Sequence, residues 1–165
     1  MRNPVAILTR GIPGCGKSTW ANEFVCRYKR SDSKRSAIVL STDDHFVDAE
    51  GVYRFNASEL GKAHAMCFAR FCQALRGHEV VVVANTFTQS WELESYRWYS
   101  NAVGARLYVK EFIPSTIGQA VMWAERNIHG VTKDIIGKML LSYESDCDVY
   151  PMSDDEENIL MLRGI

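Results

Sequence analysis

A glycine-rich stretch between an apolar run and a helical pattern constrains the fold more than any other feature of the chain. It extends from Gly11 to Ser18, with the order Gly-Ile-Pro-Gly-Cys-Gly-Lys-Ser, and follows the apolar run Val5 to Leu8. A stretch with helical character begins at Lys17. Glycines let the backbone curl tightly, and a helix that begins at such a turn directs its positive dipole end toward it. This order of strand, turn and helix predicts an α/β fold with an anion-binding loop.

The same stretch matches the pattern GxxxxGK[ST] in full. In that pattern backbone N–H groups cradle a polyphosphate, the lysine (Lys17) neutralises its β- and γ-oxygens, and the hydroxyl of Ser18 ligates Mg²⁺. We therefore predict a site for ATP, or another nucleoside triphosphate, with Mg²⁺. The predicted nucleotide-binding residues of the loop are Gly11, Pro13, Gly14, Cys15, Gly16, Lys17, Ser18 and Thr19.

Apolar, β-branched runs alternate with stretches of helical spacing along most of the chain. This alternation predicts right-handed crossovers and a mostly parallel sheet of four to five strands, covered on both sides. The runs resemble strands that are buried on both faces. The predicted strands are Val5 to Leu8, Ala37 to Leu40, Val80 to Val83 and Leu107 to Phe112, and the predicted helices are Lys17 to Lys29, Leu60 to Leu75, Trp91 to Ala102 and Ile117 to Asn127.

Length and charge narrow the class of protein further. The chain has 165 residues, 47% of them hydrophobic, which fits one domain. We place this domain at residues 1–143. We expect residues 144–165 to form a tail, first acidic and then apolar, that packs on the same domain. A net charge of −1 excludes a polybasic coat that binds nucleic acid everywhere. Five cysteines without a CxxC pair, a start without a signal peptide and no apolar run of membrane-spanning length favour a cytoplasmic protein without a membrane partner. The sequence does not indicate the oligomeric state.

Two adjacent aspartates follow the second predicted strand. Asp43 and Asp44 lie in Ser41-Thr-Asp-Asp-His-Phe46, which we expect at the carboxyl end of a strand beside the strand that precedes the glycine-rich loop. A carboxylate there can accept the proton of an attacking hydroxyl. The alternative is that one or both aspartates serve only as loop or N-cap residues.

Four segments together resemble the phage-type polynucleotide 5′-hydroxyl kinases and their relatives among the AAA-like P-loop kinases. The resemblance extends from about Val5 to Tyr143 and implies a P-loop kinase-like three-layer sandwich with a helical lid. It rests on Arg10 to Phe24, on Ser41 to Phe46, on Val83-Ala-Asn-Thr-Phe-Thr88 and on Arg126-Asn-Ile-His-Gly-Val131.

The resemblance also implies roles for individual residues. Lys17 and Ser18 hold the ATP phosphates and Mg²⁺, and Asp43 is the general base, with its carboxylate near the metal. Arg126 begins the lid, binds the nucleotide phosphates and offsets charge in the transition state. The candidates for the acceptor site are Asp44, Phe46, Asn85, Thr86 and His129.

The chain departs from the pattern of those kinases at two positions. Phe46 stands where the phage-type enzymes have an arginine that grips the acceptor phosphate, and it either stacks on a base or packs in the core. The lid lacks the second arginine, so His129 or a one-residue shift of Arg126 has to replace it. Basic residues between Arg27 and Arg35 offer a further edge for nucleic acid, whereas Trp98 is expected in the core.

Three functions remain open from the sequence. The first is transfer of the γ-phosphate of ATP to a nucleic-acid hydroxyl, foremost a polynucleotide 5′-OH, which makes a nucleic-acid end the expected partner. The second keeps this chemistry but uses a hydroxymethylated base in DNA, a nucleoside or another small molecule as acceptor. The third, from another class, is a nucleotide-binding regulatory module or weak NTPase.

Overall fold

The centre of the molecule is a parallel β-sheet. The computed structural model describes residues 3–127, 130–144 and 150–163. Within them, five strands pair in the order β2-β3-β1-β4-β5, and every pairing is parallel. The strands are β1 (Val5–Gly11), β2 (Ala37–Leu40), β3 (Val80–Ala84), β4 (Arg106–Phe112) and β5 (Tyr150–Pro151).

Helices cover both faces of the sheet, which confirms the predicted three-layer α/β fold. Phe71 of the second helix and Leu93 of the third pack on one face, whereas Phe24 of the first and Leu160 of the last pack on the other. No helix among the described residues is long and apolar enough to cross a membrane. The helices are α1 (Lys17–Ser31), α2 (Leu60–Ala74), α3 (Trp91–Ala102), α4 (Ile117–Glu125), α5 (Lys133–Leu141) and α6 (Asp154–Arg163), with short 3-10 helices at Thr42–Phe46 and Ala57–Glu59.

The strand order corrects one prediction. We expected β2 beside β1, but β3 lies between them. β3 pairs with a strand on each side, and all five of its residues, from Val80 to Ala84, are buried, whereas Ile38 and Val39 of the edge strand β2 are only partly buried. Both segments are wholly apolar, so their composition does not reveal which of them takes the interior place. Because all the strands are parallel, β1, β2 and β3 still end at the same edge of the sheet.

Helices α4 and α5 pack on the glycine-rich loop through a small apolar cluster of their own. Trp123 and Ala120 of α4 and Ile136 of α5 contact Ile12 and Cys15 of the loop, and all these side chains are buried. The predicted lid segment, which begins at Arg126, lies between these two helices in the chain. The apolar contacts of α4 and α5 place both helices directly against the candidate phosphate site.

The face that α3 buries differs from the predicted one. Leu93, Tyr96 and Ser100 are buried, while 65% of Trp91 and 71% of Trp98 is exposed. The prediction that Trp98 belongs to the core is therefore wrong. The three buried side chains, at spacings of three and four residues, form one stripe of the helix and already fill its contact with the sheet.

The C-terminal helix α6 contacts both ends of the basic edge that we proposed for nucleic acid. Arg27 pairs with Glu157 of α6, whose carboxylate also accepts a hydrogen bond of 3.2 Å from Nε1 of Trp20. Arg35 donates to the carbonyl oxygen of Met161 at 2.9 Å. The basic residues between these two arginines are exposed: Lys29, Arg30 and Lys34.

Glu157 should contribute measurably to stability. Only 8% of it is exposed, so replacing it by alanine leaves the indole N–H of Trp20 and the guanidinium of Arg27 without this acceptor. We expect Glu157→Ala to cost about 1–3 kcal/mol, which lowers the melting temperature by about 2–4 °C per kcal/mol. Thermal unfolding followed by circular dichroism measures this. Asp155→Ala, an exposed position in the same turn, is the control, and equal melting temperatures for the two variants would contradict this role of Glu157.

Candidate nucleotide-binding and phosphoryl-transfer site

Glycine is required in the loop that joins β1 to α1. Gly14 and Gly16 have φ values of 80° and 98°, a region that other residues rarely adopt. A Cβ atom on Gly14 would lie 1.9 Å from the carbonyl oxygen of Trp123, so the loop approaches the end of α4 more closely than any side chain permits. The loop is therefore held in its curled form by α4 as well as by its own glycines.

Lys17 points into the curl of the loop. Its Nζ atom donates to the carbonyl oxygens of Gly11 and Ile12, each at 2.8 Å, and lies 3.6 Å from Sγ of Cys15. Burial lowers the pKa of Lys17, while Cys15 and Asp43 act in the opposite direction. The loop thus holds an amine at the position that a polyphosphate would occupy, and a carboxylate lies close enough to influence it.

The N-terminus of α1 is open to an anion. Its N-cap residue, Gly16, supplies no side-chain hydrogen bond, and no acidic residue lies in the first turn. Ser18 and Thr19 are exposed in that turn. Unpaired N–H groups and the positive end of the helix dipole both favour a phosphate there.

Asp43 and Asp44 have different surroundings. Ser41 caps the 3-10 helix that begins at Thr42, and the Asp44 carboxylate accepts a hydrogen bond from the backbone N–H of Ser41 at 3.0 Å. Asp44 also pairs with Arg70 at 2.9 Å. Asp44 therefore stabilises the turn. Asp43, half-buried beside it, acts through its charge on Lys17 of the phosphate loop.

Tyr53 holds Asp43 from the opposite side. Its hydroxyl donates to Oδ1 of Asp43 at 3.2 Å. Burial, and then the neighbouring charge of Asp43, raise the pKa of Tyr53 to about 12, so this hydroxyl stays protonated and remains a donor at neutral pH. The hydrogen bond fixes one oxygen of the carboxylate.

The end of β3 connects the two halves of the site. Asn85 is buried, and its Oδ1 atom accepts from the backbone N–H of Thr42 at 2.9 Å. The carbonyl oxygen of Thr86 accepts from the backbone N–H of Gly11 at 2.9 Å. Asn85 and Thr86, predicted near the acceptor, thus lie where they position the Asp43 turn and the start of the phosphate loop.

Phe46 is buried, with 4% of it exposed. Its ring packs on those of His45, Tyr53 and Phe55, with centroids 5.2, 6.1 and 5.0 Å away. Of the two alternatives for this residue, the structure shows packing. Its neighbour Phe55 has the exposed ring, with 54% accessible.

Arg126 caps the end of α4 and is exposed. The turn to which it belongs lies against the phosphate loop, because a Cβ atom on Gly14 would meet both the carbonyl oxygen of Trp123 and the backbone nitrogen of Asn127. The guanidinium lies 3.6 Å from Sδ of Met122. His129, the other predicted lid residue, lies outside the described residues.

No sequence motif assigns a role to Arg10, which is fully buried at the end of β1. It donates to the carbonyl oxygen of Phe87 at 2.7 Å and to that of Glu144 at 2.8 Å, and pairs with Glu111 of β4 at 2.8 Å. Its guanidinium also lies over the ring of Tyr143. The sequence does contain a signal for this role, because Arg10 is a charged residue at the end of an apolar strand. A charged side chain that is buried needs partners, so such a position indicates a network of contacts.

The donors at this edge are suited to Mg²⁺. The hydroxyl of Ser18 and the carboxylate of Asp43 are hard oxygen ligands, and Mg²⁺ is typically bound by one or two such groups together with phosphates and water. The described residues contain no group of three or more His, Cys, Asp or Glu side chains that could hold a metal by themselves. The site thus fits an ion that arrives with a nucleotide better than one in an all-protein cage.

A curled glycine loop, a buried lysine and an open helix N-terminus on a parallel sheet define a P-loop kinase-like, nucleotide-binding fold. The chain belongs to the AAA domain family AAA_33, whose model matches residues 7–135. It is 34% identical over 147 residues to human (Homo sapiens) NEDD4-binding protein 2, a match that covers 85% of this chain. The chain spans only 8% of the length of that relative.

Solved structures with the same fold include proteins that bind nucleotides. Kti12 of Chaetomium thermophilum, in complex with ADP-AlF3, matches with a TM-score of 0.69 and 15% identity over 94% of this chain and 95% of its own. A chain of the Pnkp1/Rnl/Hen1 RNA repair complex matches with a TM-score of 0.65 and 18% identity, over 87% of this chain and 45% of its own. The APS kinase CysC of Mycobacterium tuberculosis, in complex with AMPPNP and APS, matches with a TM-score of 0.62 and 15% identity, over 99% of both chains.

A double-mutant cycle tests the contact between Tyr53 and Asp43. Tyr53→Phe and Asp43→Asn each weaken the same hydrogen bond, so their effects on the free energy of unfolding should not add, and the coupling should be about 0.5–2 kcal/mol. Urea unfolding of the two single variants and the double variant measures it. The control pairs Tyr53→Phe with Asp44→Asn, for which we expect additivity within about 0.5 kcal/mol. Additive effects in the first cycle would show that the contact contributes nothing.

Proposed function

We propose that this protein transfers the γ-phosphate of ATP, with Mg²⁺, to a hydroxyl group of a nucleic acid, foremost a polynucleotide 5′-OH. The observation that carries the proposal is that the end of β3 binds both halves of the site: Thr86 accepts from the backbone N–H of Gly11 in the phosphate loop, and Asn85 accepts from that of Thr42, next to Asp43. A phosphate-binding cation, Lys17, and an acid-base group, Asp43, therefore lie at one edge of the sheet. Phosphoryl transfer to a hydroxyl requires this combination.

The proposed reaction is a direct displacement at the γ-phosphorus. The acceptor oxygen forms a bond to that phosphorus. At the same time the bond between the γ-phosphorus and the oxygen that bridges it to the β-phosphorus breaks, and ADP leaves. Asp43 accepts the proton of the hydroxyl as the new bond forms. Lys17, and Arg126 at the lid, offset the negative charge that spreads over the transferred group. Mg²⁺, held by Ser18 and Asp43, would neutralise phosphate charge when bound.

Two features support a nucleic acid as acceptor. The first is that a chain of an RNA repair complex has the same fold. The second is that four segments of this protein, in the same order, resemble those of the polynucleotide kinases. With a net charge of −1 and with Arg27 and Arg35 in contact with α6, binding should be directed to a strand end rather than distributed along the strand.

A small-molecule acceptor is the second candidate. The same fold occurs in an APS kinase in complex with AMPPNP and APS and in a gluconokinase of Sinorhizobium meliloti 1021, with TM-scores of 0.62 and 0.53. In this candidate the Asp43 chemistry is unchanged and only the acceptor differs. A regulatory nucleotide-binding module has less support, because a switch needs a group that positions water and no base for an acceptor hydroxyl, which is the role we propose for Asp43.

The test is a panel of acceptors incubated with γ-labelled ATP and Mg²⁺. The panel contains 5′-hydroxyl DNA and RNA, DNA with hydroxymethylated bases, free nucleosides and a reaction without acceptor. We expect label on the 5′-hydroxyl strands and at least about a hundredfold less with Lys17→Met, which removes a phosphate-binding cation.

The other outcomes of the panel are equally informative. Label on nucleosides alone would favour the small-molecule candidate. Label found only as free phosphate would contradict both kinase proposals and support a weak NTPase.

A further inference from the structure

We propose that Phe55 is the surface on which a nucleobase of the acceptor stacks, so that the acceptor is a single-stranded nucleic acid end recognised through its base. This inference rests on the proposed function and assigns its acceptor site. Phe46 is the candidate for such a role in the sequence, but that ring is buried. Phe55, which packs over it, is the neighbouring ring that solvent reaches.

The ring of Phe55 is both accessible and supported. It is 54% exposed, and its centroid lies 5.0 Å from that of Phe46 at an interplanar angle of 58°. Phe46 in turn packs on Tyr53 and His45. An aromatic ring whose position is already set by packing loses little conformational freedom when a ligand stacks on it.

The segment that carries Phe55 is ordered by its own hydrogen bonds. Val47 and Tyr53 form an antiparallel bridge, and the backbone N–H of Arg54 donates to the carbonyl oxygen of Phe46 at 2.7 Å. Asp48 accepts from the backbone N–H of Val52 at 2.8 Å and pairs with Arg54 at 2.7 Å. We call residues 47–55 the strap. It presents Phe55 from a fixed backbone.

The strap also contacts the candidate base. Tyr53 belongs to it, and the hydroxyl of Tyr53 donates to Asp43. The exposed ring of Phe55 is therefore connected to Asp43 through Phe46 and Tyr53, all within one packed cluster. A strand whose terminal region stacks on Phe55 would have its end near Asp43.

The flat ring of Phe55 determines the class of ligand. Arg54, with 72% of its side chain exposed, precedes Phe55 but pairs with Asp48 at 2.7 Å, so its charge is already compensated within the strap. Aromatic rings that stack on bases are typical of proteins that bind single-stranded nucleic acids. A sugar acceptor without a nucleobase offers no flat π-face for Phe55 to stack on.

The test measures binding of a fluorescein-labelled 5′-hydroxyl single strand of about eight nucleotides, in the presence of ADP and Mg²⁺ to prevent transfer. A second strand, abasic over its 5′-terminal nucleotides, reports binding without the bases. We expect Phe55→Ala and Phe55→Leu to weaken binding of the first strand about fivefold or more, to leave the second unchanged, and Phe55→Trp to retain full affinity. Leucine preserves apolar packing on Phe46, so this comparison isolates stacking.

The control is Val52→Ala, which alters an exposed apolar side chain of the same strap without touching a ring. Equal affinity in Phe55→Ala and Val52→Ala, or no binding of the first strand by the wild-type protein, overturns the inference. The transfer assay on the wild-type protein separates this from the proposed function. Binding that depends on Phe55 without label transfer contradicts the function alone, whereas transfer with unchanged affinity in Phe55→Ala contradicts the stacking role alone.

Discussion

The candidate site depends on one buried guanidinium. Arg10 lies at the end of β1, immediately before the phosphate loop, and binds Glu111 of β4 and the carbonyl oxygens of Phe87 and Glu144. A buried charge of this kind is tolerated only when its partners are in place, and removal of one partner is costly. The position of the phosphate loop is therefore tied to the connection after β3, to β4 and to the chain that follows α5.

The same network contains the conformationally strained residue Phe87. Its φ of 44° lies in a region that bulky residues rarely adopt, and its carbonyl oxygen accepts the shortest of the hydrogen bonds from Arg10, at 2.7 Å. Such strain persists where surrounding contacts determine the backbone. Arg10 thus fixes the loop after β3, while Asn85 and Thr86, slightly earlier in that loop, hold the Asp43 turn and the phosphate loop.

Local patterns predicted most of the fold and the phosphate-binding half of the site. The glycine spacing and Lys17 identify the loop because their chemistry is contained in eight consecutive residues, and the helix Trp91–Ala102 was predicted with its observed bounds. The order of the strands was not predictable in this way. β2 and β3 are both wholly apolar, so only the strand pairing of the folded chain shows that β3 lies between β1 and β2.

The acceptor half of the site depends on contacts between distant residues. Tyr53 bonds to Asp43 across ten positions, and Phe55 covers Phe46, so the sequence showed an aromatic, acidic loop but not which ring is exposed. The two aspartates are adjacent and chemically identical in the sequence. In the structure, Asp44 bonds to the backbone of Ser41 and pairs with Arg70, whereas Asp43 accepts the hydrogen bond of Tyr53.

That distinction supplies the most direct measurement of the central claim, that Asp43 acts on the acceptor hydroxyl. The single-turnover rate of transfer and the affinity for ATP without Mg²⁺ should be compared in Asp43→Asn and Asp44→Asn. We predict that Asp43→Asn slows transfer at least about a hundredfold while its affinity for ATP is unchanged, and that Asp44→Asn transfers far faster than Asp43→Asn. Transfer at the wild-type rate in Asp43→Asn, or equal losses in the two variants, would contradict the claim.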